Sequence, residues 1–123
     1  ISILNKIKPP YNINAATQEL ALKALDNLDD VNAMITTIVD EREALSNALN
    51  GLEIVQRVYP SDANFLLVKV ADANGIYDYL KEKGTIVRNR SNVLLCEGCL
   101  RITVGTEKEN KDLIQQLQQF AGA

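Results

Sequence analysis

The residues best suited to chemistry in this sequence are arginines that fall in or beside stretches that read as β-strand. Arg88 closes the short run Ile86-Val87, Arg90 follows two residues later, and Arg101 lies within Leu100-Arg101-Ile102-Thr103-Val104. A guanidinium flanked by strand residues is partly desolvated and needs an anionic partner. Its planar fork can hold a carboxylate or a phosphate through two parallel charge-assisted hydrogen bonds, each contributing roughly 1.5–3 kcal/mol. A surface arginine paired with a local carboxylate such as Glu97 or Glu107 is the simpler reading for any one of them. Arg88 and Arg101 on adjacent short strands joined by a loop make a shared anion pocket the sharper one.

Side-chain catalysis has little to work with. The chain contains no histidine, so there is no imidazole base and no Ser-His or Cys-His nucleophile pair. No glycine-rich phosphate loop is present. Glu41, Glu43, Glu107 and Glu109 fall on helices with a polar surface pattern and read as solvated. Cys96 and Cys99 form a single Cys-x-x-Cys pair, half of what a structural zinc requires. They run into a strand, whereas thiol activation of the thioredoxin kind needs a helix N-terminus. Two reduced structural thiols of a cytoplasmic protein are the expectation.

The elements that must carry these residues follow from the pattern. Residues 1–13 read as an extended connection, because Pro9-Pro10 excludes a helix interior and biases the preceding residues to extended backbone. Asn14 is placed to cap a helix with Leu20, Ala24 and Leu28 at helical spacing. Asn27, Asp29 and Asp30 break it. A longer helix follows with Val31, Ile35, Ile38, Leu45, Leu49 and Leu52 on one face, interrupted by Arg42 and stopped at Gly51. Ile54–Tyr59 reads as a strand, and Pro60-Ser61-Asp62-Ala63 turns it into Phe65–Val70. That second run is apolar on both faces at first, which predicts an interior strand antiparallel to the first. Asp72 caps a helix presenting Ile76, Tyr79 and Leu80, and Gly84 ends it. Ile86–Arg88 and Leu100–Val104 are short strands on either side of a loop, 89–98. Thr106-x-x-Glu109 is a capping box opening a last helix that carries Leu113, Ile114, Leu117 and Phe120. The expected fold class is α+β: one layer of helices over a mostly antiparallel sheet of about four strands.

A length of 123 residues suits one domain, large enough to bury a substantial core. The net charge of −3 lacks the basic stripe of a nucleic-acid binder. Apolar runs of a few residues are far short of a membrane span. Without an initiator Met, and opening directly into Ile1-Ser2-Ile3-Leu4, the chain reads as part of a longer protein.

Four segments, in order and spacing, resemble the C-terminal region of histidinol-phosphate aminotransferases: 8–14 (Lys-Pro-Pro-Tyr-Asn-Ile-Asn), 59–65 (Tyr-Pro-Ser-Asp-Ala-Asn-Phe), 84–91 (Gly-Thr-Ile-Val-Arg-Asn-Arg-Ser) and 99–106 (Cys-Leu-Arg-Ile-Thr-Val-Gly-Thr). The last is the most specific. An arginine in a Leu-Arg-Ile strand is by itself shared by many aminotransferases. The resemblance covers nearly the whole chain and implies the small domain of a fold-type I, pyridoxal-phosphate enzyme. Residues 1–13 would be the connection from a large domain and 14–123 the small domain itself. The intact enzyme would move an amino group between L-histidinol phosphate and 2-oxoglutarate, with glutamate as the other amino acid, in histidine biosynthesis. It would be cytoplasmic and a homodimer.

On this likeness Arg101 matches the arginine that grips the α-carboxylate of glutamate or 2-oxoglutarate. Arg88 matches the one that reaches the distal anion, a phosphate or second carboxylate. Asn64 and Phe65 match the strand lining the inner face, and Arg90 has no counterpart role and reads as a surface charge. The Schiff-base lysine lies in a Ser- and Gly-containing segment of the large domain, a context that none of the eight lysines here shares. The chain would therefore supply substrate-binding arginines but no catalytic residue, hold no cofactor of its own, and be inactive alone. The alternatives are a free-standing α+β module sensing a small anion, an oligomerisation domain with no ligand site, or the small domain of a related aminotransferase or threonine-phosphate decarboxylase.

Overall fold

In the computed structural model, which describes residues 13–122, regular structure begins at Asn14. Its side chain accepts from the Thr17 amide at 2.8 Å and caps helix α1, Ala15–Leu25. The extended connection and the Pro9-Pro10 break expected over 1–12 lie outside the described residues. Helix α2, Leu28–Asn50, starts where the break was expected: the Asn27 amide donates to the Asp30 carboxylate. It ends at Gly51, as the sequence predicts.

Two units divide within α2, Ile1–Met34 and Ile35–Ala123. In the described part of the first, the apolar residues Leu20, Leu22, Leu25 and Leu28 are exposed. The stripe is thus at the expected spacing, yet α1 buries none of its residues.

The second unit contains the sheet: β1 (Val55–Val58), β2 (Phe65–Val70), β3 (Arg88–Asn89) and β4 (Cys99–Thr103). Helix α3 (Ala73–Glu82) separates β2 from β3, and α4 (Glu107–Ala121) follows β4. The order is β1-β2-β4-β3 and every pairing is antiparallel. Both β2 and β4 are interior, matching the apolar character of their sequences. Leu66, Val68 and Val70 of β2 and Leu100 and Ile102 of β4 share the buried face. They pack with Leu45 and Leu49 of α2, Ile76 and Leu80 of α3, and Leu113 and Leu117 of α4. The helices therefore cover one face of the sheet, and the α+β expectation holds. Of the stripe expected along α2, Leu45 and Leu49 enter this core, while Ile35 and Ile38 are exposed.

Polar side chains set the joints. Arg42, which interrupts the apolar stripe, donates from Nη1 to the Ala63 carbonyl at 2.9 Å and so ties α2 to the β1–β2 turn. Ser61 Oγ fastens the same turn, donating to Phe65 O and accepting from Ala63 N. Buried Asn110 uses its whole amide: Nδ2 donates to Glu41 and to Gly105 O, and Oδ1 accepts from Gly105 N. Glu41 is thus half-buried and bonded, where its helical position suggested a solvated carboxylate.

The third strand is shifted from the sequence expectation of Ile86–Arg88. Gly84, at φ +83°, ends α3, with Gly84 N bonded to Lys81 O and Thr85 N to Leu80 O. This paired closure occupies the first residues after the helix, so the ladder starts only at Arg88 and leaves Ile86 exposed. The capping box is present as expected: Thr106 Oγ1 accepts from Glu109 N, and Glu109 Oε2 accepts from Thr106 N at 2.8 Å. Hydrogen bonds with Thr106 hold the Glu109 carboxyl below its ordinary pKa. Thr106→Ala is expected to cost about 1 kcal/mol of stability, read from the denaturant midpoint, and an unchanged midpoint would contradict the cap.

Candidate functional site

The face of the sheet opposite the helices carries the arginines. Arg88 of β3 and Arg101 of β4 are direct cross-strand partners, and Leu67 of β2 is the partner of Arg101 on its other side. Opposed residues in an antiparallel pair point to the same face, so the two guanidinium groups share one side. Both line a concavity of about 830 Å³ that wraps the β3 edge of the sheet, since Asn74, Tyr77 and Asp78 of α3 line it together with Arg90 and Thr103.

Like charges set directly opposite one another destabilise a sheet. No local acid offsets this pair: among the described residues neither arginine makes an ion pair, and Glu107, one candidate neutraliser, is bonded to Lys111. Among the described residues Asp78 is the one acid lining the concavity; it is exposed and bonded to neither arginine. Arg101 is half-buried, its guanidinium carbon 5.1 Å from the centre of the Phe65 ring. Its Nε is buried and has no hydrogen-bond partner. An aromatic face attracts the cation and holds it, but it leaves the in-plane donors unspent. A planar anion reaching the end of that group would take its terminal nitrogens.

Asn64 lies at the approach to β2, where its carbonyl accepts from Val104 N at 2.9 Å. Its exposed side chain does not line the concavity, so the fold brings Arg88 and Arg101 together but not Asn64. The sequence reads Arg90 as a surface charge, where the structure leaves it half-buried, and gives Asn74, Tyr77 and Thr103 no role. For Arg90 a signal existed, since two-residue alternation from Arg88 places it on the same face.

The short strand bearing Arg88 is anchored to α3. Asn89, which lines the concavity as well, donates from Nδ2 to Asn74 Oδ1 at 2.7 Å at the start of α3, while its Oδ1 accepts from Ser91 N. Cys96 lies in the loop between β3 and β4, and Cys99 opens β4. Both are free, Cys99 is buried, and its amide donates to Cys96 O at 3.0 Å. Burial, and then the neighbouring Cys96, push the Cys99 thiol above its ordinary pKa, against the attraction of Lys69. That is opposite to what a reactive thiolate needs. Among the described residues no group of three or more His, Cys, Asp or Glu could hold a metal ion. No helix there is long and apolar enough to cross a membrane.

Residues 1–117 match the family described as aminotransferase class I and II. The chain belongs to that family. It is 52% identical over 98% of its length to a histidinol-phosphate aminotransferase of Cytophaga hutchinsonii and 53% identical over 98% to that of Christiangramia forsetii. It spans 34% of the length of each of these relatives. Its fold is similar to that of the histidinol-phosphate aminotransferase of Clostridium acetobutylicum, with a TM-score of 0.82 at 22% identity, covering 98% of this chain and 37% of that one.

Proposed function

We propose that residues 14–123 are the substrate-gripping small domain of a pyridoxal-phosphate-dependent histidinol-phosphate aminotransferase, and that residues 1–13 connect it to a large domain of the same polypeptide. The observation that carries this reading is the cross-strand pairing of Arg88 with Arg101 on the open face of the sheet, without an acid among the described residues bonded to either. Relatives about half identical in sequence and bearing that name support the substrate assignment.

Arg101 holds the α-carboxylate of glutamate or 2-oxoglutarate through the two terminal nitrogens of its guanidinium. Arg88, exposed at the sheet edge, reaches the distal anion, either the phosphate of L-histidinol phosphate or the second carboxylate. Phe65 sets the height of the Arg101 guanidinium by stacking under it. Fixing both carboxylates of glutamate in this way orients its amine, and it is orientation rather than proton transfer that these residues provide. Asn64 is assigned a supporting role at the approach to β2, outside the concavity. The intact enzyme is a cytoplasmic homodimer on this reading.

Pyridoxal phosphate supplies electron withdrawal from the substrate carbon when bound. The described residues do not fit a covalent seat for it. Lys23 and Lys111 are paired with Glu19 and Glu107, Lys83 lies over the Tyr79 ring, and no lysine lines the concavity. The cofactor is therefore assigned to the other part of the parent polypeptide, and this chain alone is expected to be inactive. Incubation with pyridoxal phosphate followed by borohydride and peptide mapping is expected to give no stoichiometric label at one particular lysine. Full labelling of a single site would overturn the assignment.

A further inference from the structure

We propose that Arg90 is a second phosphate-binding arginine, acting with Arg88, so that this concavity discriminates a phosphate monoester from a carboxylate. The inference rests on the functional reading above and extends it to a residue that likeness alone leaves without a role. Three observations carry it. First, Arg90 continues the β3–β4 ladder: its amide donates to Cys99 O at 2.9 Å, and its carbonyl accepts from Val93 N at 2.8 Å. The side chain therefore leaves a pinned backbone, and alternation from Arg88 sends it to the same face. Second, Arg90 lines the same concavity as Arg88 and Arg101. Third, it is half-buried, and among the described residues its guanidinium has no ion pair.

Charge decides what such a group is for. A phosphate monoester carries about −1.5 to −2 charges near neutral pH and three acceptor oxygens. One guanidinium neutralises about half of that charge and leaves acceptors open. A carboxylate carries a single charge and is fully matched by one fork. Arg101 alone suffices for the carboxylate, whereas Arg88 in the edge strand and Arg90 just past its end together match a dianion. Asp78 lines the same concavity and disfavours a weakly held anion without cancelling two arginines.

The test uses the full-length parent enzyme and compares Arg90→Gln and Arg90→Lys with wild type. Arg90→Gln is expected to lower kcat/KM for L-histidinol phosphate about tenfold relative to kcat/KM for glutamate, the effect of one lost charge-assisted hydrogen bond. Arg90→Lys is expected to recover part of that ratio, because it restores the charge without the fork. Competition by inorganic phosphate should weaken in the Gln variant by a similar factor. Equal losses with both substrates, or no change in the ratio, would overturn the inference and leave the aminotransferase reading standing. If wild type does not act on L-histidinol phosphate but Arg90→Gln still weakens inorganic phosphate binding, the functional reading fails and the phosphate role of Arg90 stands.

Discussion

In the full-length enzyme, Arg101→Ala is expected to lower kcat/KM for glutamate and for 2-oxoglutarate by a factor of about 10 to 100. The magnitude is that of one bidentate pair, in which two charge-assisted hydrogen bonds are lost but water enters the space left behind. The substitution removes the half-buried guanidinium stacked over Phe65 and the orphaned Nε with it. Arg101→Lys is expected to recover little, since an ammonium is a point charge and presents no planar fork. Fold stability should change less than catalysis, because removing one member of a like-charged cross-strand pair relieves repulsion with Arg88. Steady-state kinetics with each substrate decide the matter, and unchanged constants with both would remove Arg101 from the site.

The largest stability effect is expected from Leu100→Ala. Leu100 is 0% exposed, lies in an interior strand opposite Val68, and is the residue next to Arg101 on the other face. Truncation leaves a cavity where strands and helices meet, at a cost of about 2–5 kcal/mol. Leu94, by contrast, is 87% exposed, and Leu94→Ala should fall within about 0.5 kcal/mol of wild type. Denaturant unfolding of the two variants gives the comparison directly, and similar midpoints would mean that the core is misplaced. Because Leu100 and Arg101 are adjacent, strand burial on one side fixes the register of the arginine on the other.

Local signals in the sequence were strong where chain chemistry is local. Asn14, Asp72 and Thr106 each cap the helix they precede, and Gly51 and Gly84 end theirs, because these side chains or their absence act within a turn. The interior placement of Phe65–Val70 was legible because a strand buried on one face and half-buried on the other has little room for polar residues. Strand order was not, since β3 reaches β4 across a loop whose course depends on contacts far apart in sequence. The onset of β3 was misread because Gly84 and Thr85 are spent on closing α3. Exposure in α1 and the first part of α2 was equally beyond pattern, as a stripe at helical spacing names no partner. At the site, the arginine pair was legible from type and spacing. Arg90 reads as a surface charge because likeness to a family weighs residues with a known counterpart, whereas alternation along the strand treats Arg88 and Arg90 alike.

The most direct measurement is a structure of the full-length enzyme with 2-oxoglutarate bound. One carboxylate is expected in bidentate contact with the Arg101 guanidinium and the distal carboxylate turned toward Arg88. A bound ligand held elsewhere, with Arg101 still resting on Phe65 and its terminal nitrogens unspent, would contradict that placement.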